Sequence, residues 1–196
     1  VDLEPTGSGQ AALFSTSTGM VDVPALMESL LMEFQSAGGI LALNTPVDEI
    51  TTTGEELVVQ TAGSDPMALR SSIVVNSAGL GAVELMRRTS ALARPHVPDL
   101  YYAKGNYFSY RGKSPFKHLI YPVPEAAGLG IHATMDLAGC TRFGPDVQWV
   151  DDISYHVSAD RLEPFYRSIA RYFPAVESLR LHPDYAGVRP KLSGPG

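Results

Sequence analysis

The run Ile73-Val74-Val75 is apolar on both faces and passes through Asn76-Ser77-Ala78-Gly79-Leu80-Gly81 into a stretch of helical character that reaches about Arg88. A strand without a polar face belongs in a sheet covered on both sides, the setting of a parallel strand in an α/β layer structure. A glycine-containing turn joins such a strand to its helix without steric cost. The first half of the chain is therefore expected to centre on a strand, a tight turn and a helix. Upstream, Asp22 can cap a helix in which Val23, Leu26, Met27, Leu30, Leu31 and Phe34 recur at helical spacing, and Gly38-Gly39 ends it. Between the two helices lie short segments of strand character, Ile40–Leu43, Pro46–Thr52, Glu56–Ala62 and Leu69–Val75, with turns at Gly54 and at Gly63–Pro66. Together they spell a small β-meander. Residues 1–20, rich in Gly, Ser and Thr, read as a loop with a short strand near Ala11–Ser15.

From about Thr89 to Pro98 the chain becomes a connector with two prolines, and beyond it the strands change in kind. Tyr101–Tyr110, His118–Val123, Gly128–Met135 and Cys140–Phe143 are longer and aromatic-rich, as in an antiparallel or mixed sheet. A helix over about Asp160–Phe173 carries Leu162, Phe165, Tyr166, Ile169 and Phe173 on one face, and Pro164 is tolerable there because it falls in the first turn. The fold class expected is α/β (α+β), in two parts: residues 1–98 and residues 99–196.

With 196 residues, 44% of them hydrophobic, the chain can bury one sizeable core or two small ones. A formal charge of -6 with no Lys/Arg run argues against nucleic acid or an anionic membrane surface, which are bound through clustered basic residues. A small ligand, a carboxylate among the candidates, is the better partner. Cys140 is the one cysteine, so no internal disulfide forms, no metal site is expected, and a reducing compartment such as the cytoplasm suits the chain. No stretch approaches the roughly 20 apolar residues of a membrane-spanning helix. The sequence opens on Val1 and closes on Leu192-Ser193-Gly194-Pro195-Gly196, and both ends read as cut from a longer chain.

Three places can carry chemistry. The turn Ala78-Gly79-Leu80-Gly81 lets backbone approach a pyrophosphate or a flavin, although the same turn serves as a packing turn in any α/β protein. Arg189, between Gly187 and Pro190, has the planar fork that grips a carboxylate through two parallel hydrogen bonds, or pairs with a surface acid. In Gly130-Ile131-His132-Ala133-Thr134, strand alternation sets His132 on the face of Thr134, where an imidazole can take a proton from a substrate hydroxyl or act as a hydrogen-bonded strand residue. Tyr107 and Tyr121 can line a pocket or pack half-buried. The other histidines have no ligand spacing.

In order along the chain, Ser17-Thr18-Gly19-Met20-Val21-Asp22, Val75-Asn76-Ser77-Ala78-Gly79-Leu80, Lys104-Gly105-Asn106-Tyr107-Phe108, Leu119-Ile120-Tyr121-Pro122-Val123-Pro124, Gly130-Ile131-His132-Ala133-Thr134, Phe143-Gly144-Pro145-Asp146 and Gly187-Val188-Arg189-Pro190 resemble the successive signatures of one flavoenzyme group. These are the FAD-dependent D-amino-acid-oxidase-like oxidoreductases, and the likeness is greatest to the L-2-hydroxyglutarate dehydrogenases and oxidases. The resemblance implies the later part of an FAD-binding domain followed by most of a substrate domain. A first glycine-rich βαβ unit and a last flavin-closing segment fall outside it. It implies FAD as cofactor, with Val47 at the adenine and Ser77, Ala78, Gly79 and Leu80 in the turn that approaches the flavin side. It also implies Arg189 and His132 as catalytic residues, with Arg189, Tyr107 and Tyr121 binding substrate. The reaction implied is oxidation of a small 2-hydroxy acid by hydride transfer to FAD. An amino-acid or amine oxidase of the same fold and a non-catalytic acid-binding module are the alternatives.

Overall fold

The computed structural model describes residues 3–90, 92, 96–124 and 130–195. The chain divides into two compact units, one of Pro24–Tyr101 with the residues from Pro190 onward, the other of Tyr102–Arg189 with the N-terminal stretch through Val23. The connector at Thr89–Pro98 thus lies just ahead of the division at Tyr101. The first 23 residues, which the sequence reading grouped with residues 24–98, pack instead on the second unit. Glu4 Oε1 accepts the backbone N–H of Lys117 at 2.7 Å, Thr6 Oγ1 donates to the Pro115 carbonyl at 2.9 Å, and the Ser8 N–H donates to the Tyr172 carbonyl at 2.7 Å.

In the first unit, α1 spans Val23–Ser36. It stops as the glycines require: Gly38 has φ +87°, and the Gly38 and Gly39 N–H groups donate back to Gln35 and Phe34. A Cβ at Gly39 would lie 2.4 Å from the Phe34 ring, so the ring folds over the cap. Then β1 (Val47–Thr53), β2 (Glu56–Thr61) and β3 (Ala68–Ser71) form the expected antiparallel meander in the order β1-β2-β3. After a single 3₁₀ turn at Gly79–Gly81 comes α2 (Ala82–Arg87). Its C-terminal end is tied to β1, because the Ile50 N–H donates to Arg88 and its carbonyl accepts from Ser90. Ile50, Val58 and Val83 are buried between these elements.

Two expected strands are not formed, and a third, Leu69–Val75, is a strand only as far as Ser71. Ala11–Ser15, Ile40–Leu43 and Ile73–Val75 are extended or turned segments outside any ladder, and Ile40, Ile73 and Val75 are at least three-quarters exposed. A strand persists through cross-strand hydrogen bonds, and no backbone–backbone hydrogen bond among the described residues involves these segments. The α1 helix likewise has no buried residue. No described helix is long and apolar enough to cross a membrane.

The second unit is a five-stranded sheet under a helix. The strands β4 (Tyr101–Tyr110), β5 (His132–Met135), β6 (Thr141–Gly144) and β7 (Gln148–Val150) run in the order β5-β6-β4-β7, and β8 (Leu181–Lys191) also pairs with β4. Pairing Phe108 with Phe143 and Lys104 with Gln148 makes β6 and β7 continue one another along β4. In the break between them the Asn106 N–H donates to Asp146 Oδ1 at 2.8 Å, a side chain standing in for the missing ladder partner. Of the expected strand His118–Val123 only Ile120 pairs, in one bridge to Ala133, since Pro122 cannot donate to a ladder. Gly128 and Leu129, where the expected strand Gly128–Met135 begins, lie outside the described residues.

The helix α3 spans Leu162–Ala170, starting two residues later and ending three earlier than expected. Ser158 caps the turn that leads into it, and Tyr172 and Phe173 reach the core from the turn that follows. Phe108, Phe143, Phe165, Ile169 and Val176 are fully buried, with the Phe108 and Phe165 rings 4.6 Å apart. One face of β4, carrying Phe108, is thereby committed to α3. Side-chain alternation turns Gly105, Tyr107 and Ser109 to the other face.

Gly144, at the end of β6, lies directly across from His132. Its φ is +142°, and a Cβ there would stand 2.7 Å from both the Asn106 carbonyl oxygen and Tyr107 Cδ1. Gly144→Ala is therefore expected to destabilise the second unit by about 2 kcal/mol or more, through backbone strain and displacement of the Tyr107 ring. Urea unfolding followed by the fluorescence of Trp149, the one tryptophan, measures the loss. A wild-type midpoint with an unchanged near-ultraviolet tyrosine spectrum would show that the ring does not depend on this glycine.

Candidate functional site

In the second unit, the sheet face turned away from α3 gathers the residues singled out in the sequence together with several that were not. Tyr107 stands on β4 and His132 on β5, each half-buried. The His132 ring lies 4.4 Å from the Tyr121 ring at an interplanar angle of 59°. Arg189 is on β8, exposed, and makes no ion pair among the described residues. It is nonetheless close enough to Tyr107 to oppose the rise in that phenol's pKa. Tyr121 acts on the same phenol in the other sense. Tyr107, Tyr121, His132 and Arg189 therefore form one neighbourhood.

Tyr185 completes it and was not legible in the sequence. Its ring stacks on Tyr107 with centroids 4.4 Å apart and planes 14° apart. Tyr185 and Arg189 are four apart on an extended strand, so they share a face. That signal is present in the sequence, but Pro183, Gly187 and Pro190 hide the strand, because proline in a run argues against a ladder. Tyr107 is pushed up to about 12, first by burial and then by the charge and hydrogen bond of Tyr185, so its hydroxyl keeps its proton and can donate.

Arg142 on β6 is the other cation of this face. Its Nε donates to Asp184 at 2.7 Å, its Nη1 lies 3.3 Å from Asp136, and its guanidinium stands 5.8 Å from the centre of the Tyr185 ring. The hydrogen bond to Asp184 is the chief cause that raises its pKa. With two carboxylates on it, Arg142 is neutralised and fixed. Arg189 is the cation left to receive an anion.

In the first unit, a cleft of about 450 Å³ lies between the meander and the turn into α2. It brings together Val47, Ser77 and Ala78 of the expected cofactor residues, with Ile50, Val59, Val74 and Val75 as apolar walls. Gly79 and Leu80 belong to the same 3₁₀ turn but are not part of the lining. Gly79 has φ +56° and open space where a Cβ would stand, so the turn needs glycine for its backbone conformation. Asn76 staples the turn: its Nδ2 donates to the Ala82 carbonyl at 2.9 Å and its Oδ1 accepts from the Ala78 N–H at 3.2 Å.

The polar rim consists of Asp48, Glu84 and Arg88, and Arg88 is held by both carboxylates, at 3.0 and 3.1 Å. The cleft has the volume of a site for one drug-sized ring system. Carboxylates on its rim can accept from ribose hydroxyls or an adenine amine, while no unpaired cation is present among its described lining residues for a diphosphate. Its residues fit the adenosine end of a flavin dinucleotide.

A profile of the FAD dependent oxidoreductases, the DAO family, matches residues 1–196. The chain is 46% identical over 141 residues to the mitochondrial L-2-hydroxyglutarate dehydrogenase of Arabidopsis thaliana, a match covering 66% of this chain and 29% of that protein. Among solved structures, glycine oxidase from Geobacillus kaustophilus superposes with a TM-score of 0.73 at 20% identity, over 97% of this chain and 49% of that one. The glycerol-3-phosphate dehydrogenase from Bacillus halodurans complexed with FAD gives 0.67 at 21% identity, over 87% of this chain and 36% of that one. The chain thus spans between 29% and 49% of the length of these proteins. The structural likenesses establish the mixed helix and antiparallel-sheet fold of such flavoproteins, and the profile covers the whole sequence: the chain belongs to the family of FAD-dependent oxidoreductases.

Proposed function

We propose that the protein to which this chain belongs oxidises a small 2-hydroxy acid of the 2-hydroxyglutarate kind. In this reading residues 1–98, apart from the first 23, carry the later part of the FAD-binding domain and residues 99–196 most of the substrate-binding domain. The observation that carries it is the grouping, on one sheet face, of an unpaired guanidinium, a protonated phenol and an imidazole, in a family whose relative in Arabidopsis is named for L-2-hydroxyglutarate. The lone exposed Cys140 suits a reducing compartment, cytoplasmic or organellar.

Arg189 holds the substrate carboxylate through its planar fork. Tyr107, neutral up to high pH, donates to the same acid and seats it, while Tyr121 closes the pocket beside His132. His132 takes the hydroxyl proton. FAD, when bound, supplies the acceptor for the hydride that leaves the α-carbon. Val47 and the turn Ser77-Ala78-Gly79-Leu80 are the residues of this chain that hold the cofactor. An amino acid would release its hydride with the help of its own nitrogen lone pair and would need no base, so the role of His132 separates the two chemistries.

Because its cleft offers no free cation to a diphosphate, the 196-residue chain by itself is expected to bind FAD with a Kd of about 10 μM or weaker. Isothermal titration decides this, and submicromolar binding would contradict it. In the whole protein, Arg189→Lys is expected to lower kcat/KM by about 2 kcal/mol or more, mostly through KM, since an ammonium offers a point charge in place of the fork. An unchanged kcat/KM would remove Arg189 from the site. His132→Ala is expected to slow anaerobic flavin reduction by at least about 10²-fold with the flavin still bound. Reduction at the wild-type rate would instead favour an amine substrate.

A further inference from the structure

A 2-hydroxy acid of the glutarate kind carries two carboxylates, and Arg189 is the arginine of this sheet face that makes no ion pair among the described residues. Arg142 is spoken for by Asp184 and Asp136. With Arg189 on the first carboxylate, a second can be held by neutral donors. Beside Arg189 stand two such donors in register, the stacked phenols of Tyr107 and Tyr185. Arg142 lies against the outer ring of the stack, and its own two aspartates keep it there. The pair is thus braced from behind and has its hydroxyls together.

Phenol hydroxyls suit the task. Each rotates about its C–O bond, so two that bond to each other can both turn their protons to an arriving acceptor. A hydrogen bond to a charged acceptor is about twice as strong as a neutral one, and neither donor has a charge to strip of water first. Tyr107 keeps its proton at any physiological pH, so its hydroxyl presents no anion to the substrate.

We propose that Tyr185, acting with Tyr107, forms the subsite for the second carboxylate of a dicarboxylic 2-hydroxy acid whose first carboxylate is held by Arg189. The proposal rests on the function proposed above and makes Tyr185 a specificity-determining residue. It separates two classes of acid with the same chain length: the diacid uses the hydroxyl pair, and the monoacid lays a methyl group there.

The test uses the whole protein with FAD bound and two acids that cannot be oxidised, glutarate and pentanoate, titrated by the change in flavin absorbance. The wild type is expected to bind glutarate at least about tenfold more tightly than pentanoate, the worth of one charge-assisted hydrogen bond. Tyr185→Phe keeps the ring stack and removes the hydroxyl, and it should shrink that preference at least about fivefold, as should Tyr107→Phe. No preference in the wild type, or an equal loss for both acids in Tyr185→Phe, overturns the proposal. Flavin reduction by L-2-hydroxyglutarate, measured alongside, tells the two readings apart. Reduction with an unaltered KM in Tyr185→Phe leaves the oxidation standing and removes the subsite. A selective loss of glutarate binding without reduction by any 2-hydroxy acid keeps the subsite and removes the oxidation.

Discussion

The packing of Phe108 against Phe165 is the contact on which the site depends. Both rings are fully buried and 4.6 Å apart, and Phe143, also fully buried, pairs across the strands with Phe108. Because side chains on a strand alternate with a period of two, fixing Phe108 toward α3 fixes Tyr107 away from it. A slip of one residue would exchange them and set a phenol into the apolar core. The register therefore decides on which face the candidate chemistry appears, and hydrophobic burial decides the register.

A polar network on the same face of β4 as Phe108 holds the same register. Asp146 Oδ1 accepts from the backbone N–H and Nδ2 of Asn106, and its Oδ2 is held by Arg161 Nε at 2.9 Å. Nδ2 of Asn106 also reaches Gln148 at 3.2 Å, which joins β7 to the same knot. Buried polar groups are tolerated where they are paired, and here the pairing spans the break between β6 and β7. Asn106 Oδ1 alone has no partner among the described residues. Gly144, beside this break, leaves room for the Tyr107 ring, so the network and the site meet at one backbone position.

The two units differ in how their apolar residues are used. In the second, aromatic side chains of the sheet, of α3 and of the turn after it interdigitate into one cluster. In the first, burial is confined to the seam between the meander and α2, while Leu26, Met27, Leu30 and Phe34 of α1 are about half exposed. Helical periodicity sets an apolar stripe on α1 whether or not another element lies against it.

Much was written locally. The helix from Val23 to its glycine stop, the meander and the aromatic strand Tyr101–Tyr110 follow from spacing and turn residues, since these depend on a residue and its near neighbours. The grouping of Tyr107, Tyr121, His132 and Arg189 was legible as separate candidates only. Ile73-Val74-Val75 has the composition of a buried strand and is not one, because a strand is a relation between two segments and composition names only one of them. β8 is the converse: two prolines and a glycine argue against a strand, yet pairing with β4 makes one and brings Tyr185 onto Tyr107. The fixing of Arg142 by Asp136 and Asp184, which leaves Arg189 as the available cation, joins residues on separate elements. The sequence determined which residues can do chemistry and the local elements that carry them. Tertiary structure decided which of them meet and which charge is left unpaired, because cross-strand pairing and ion pairing join residues far apart in the chain.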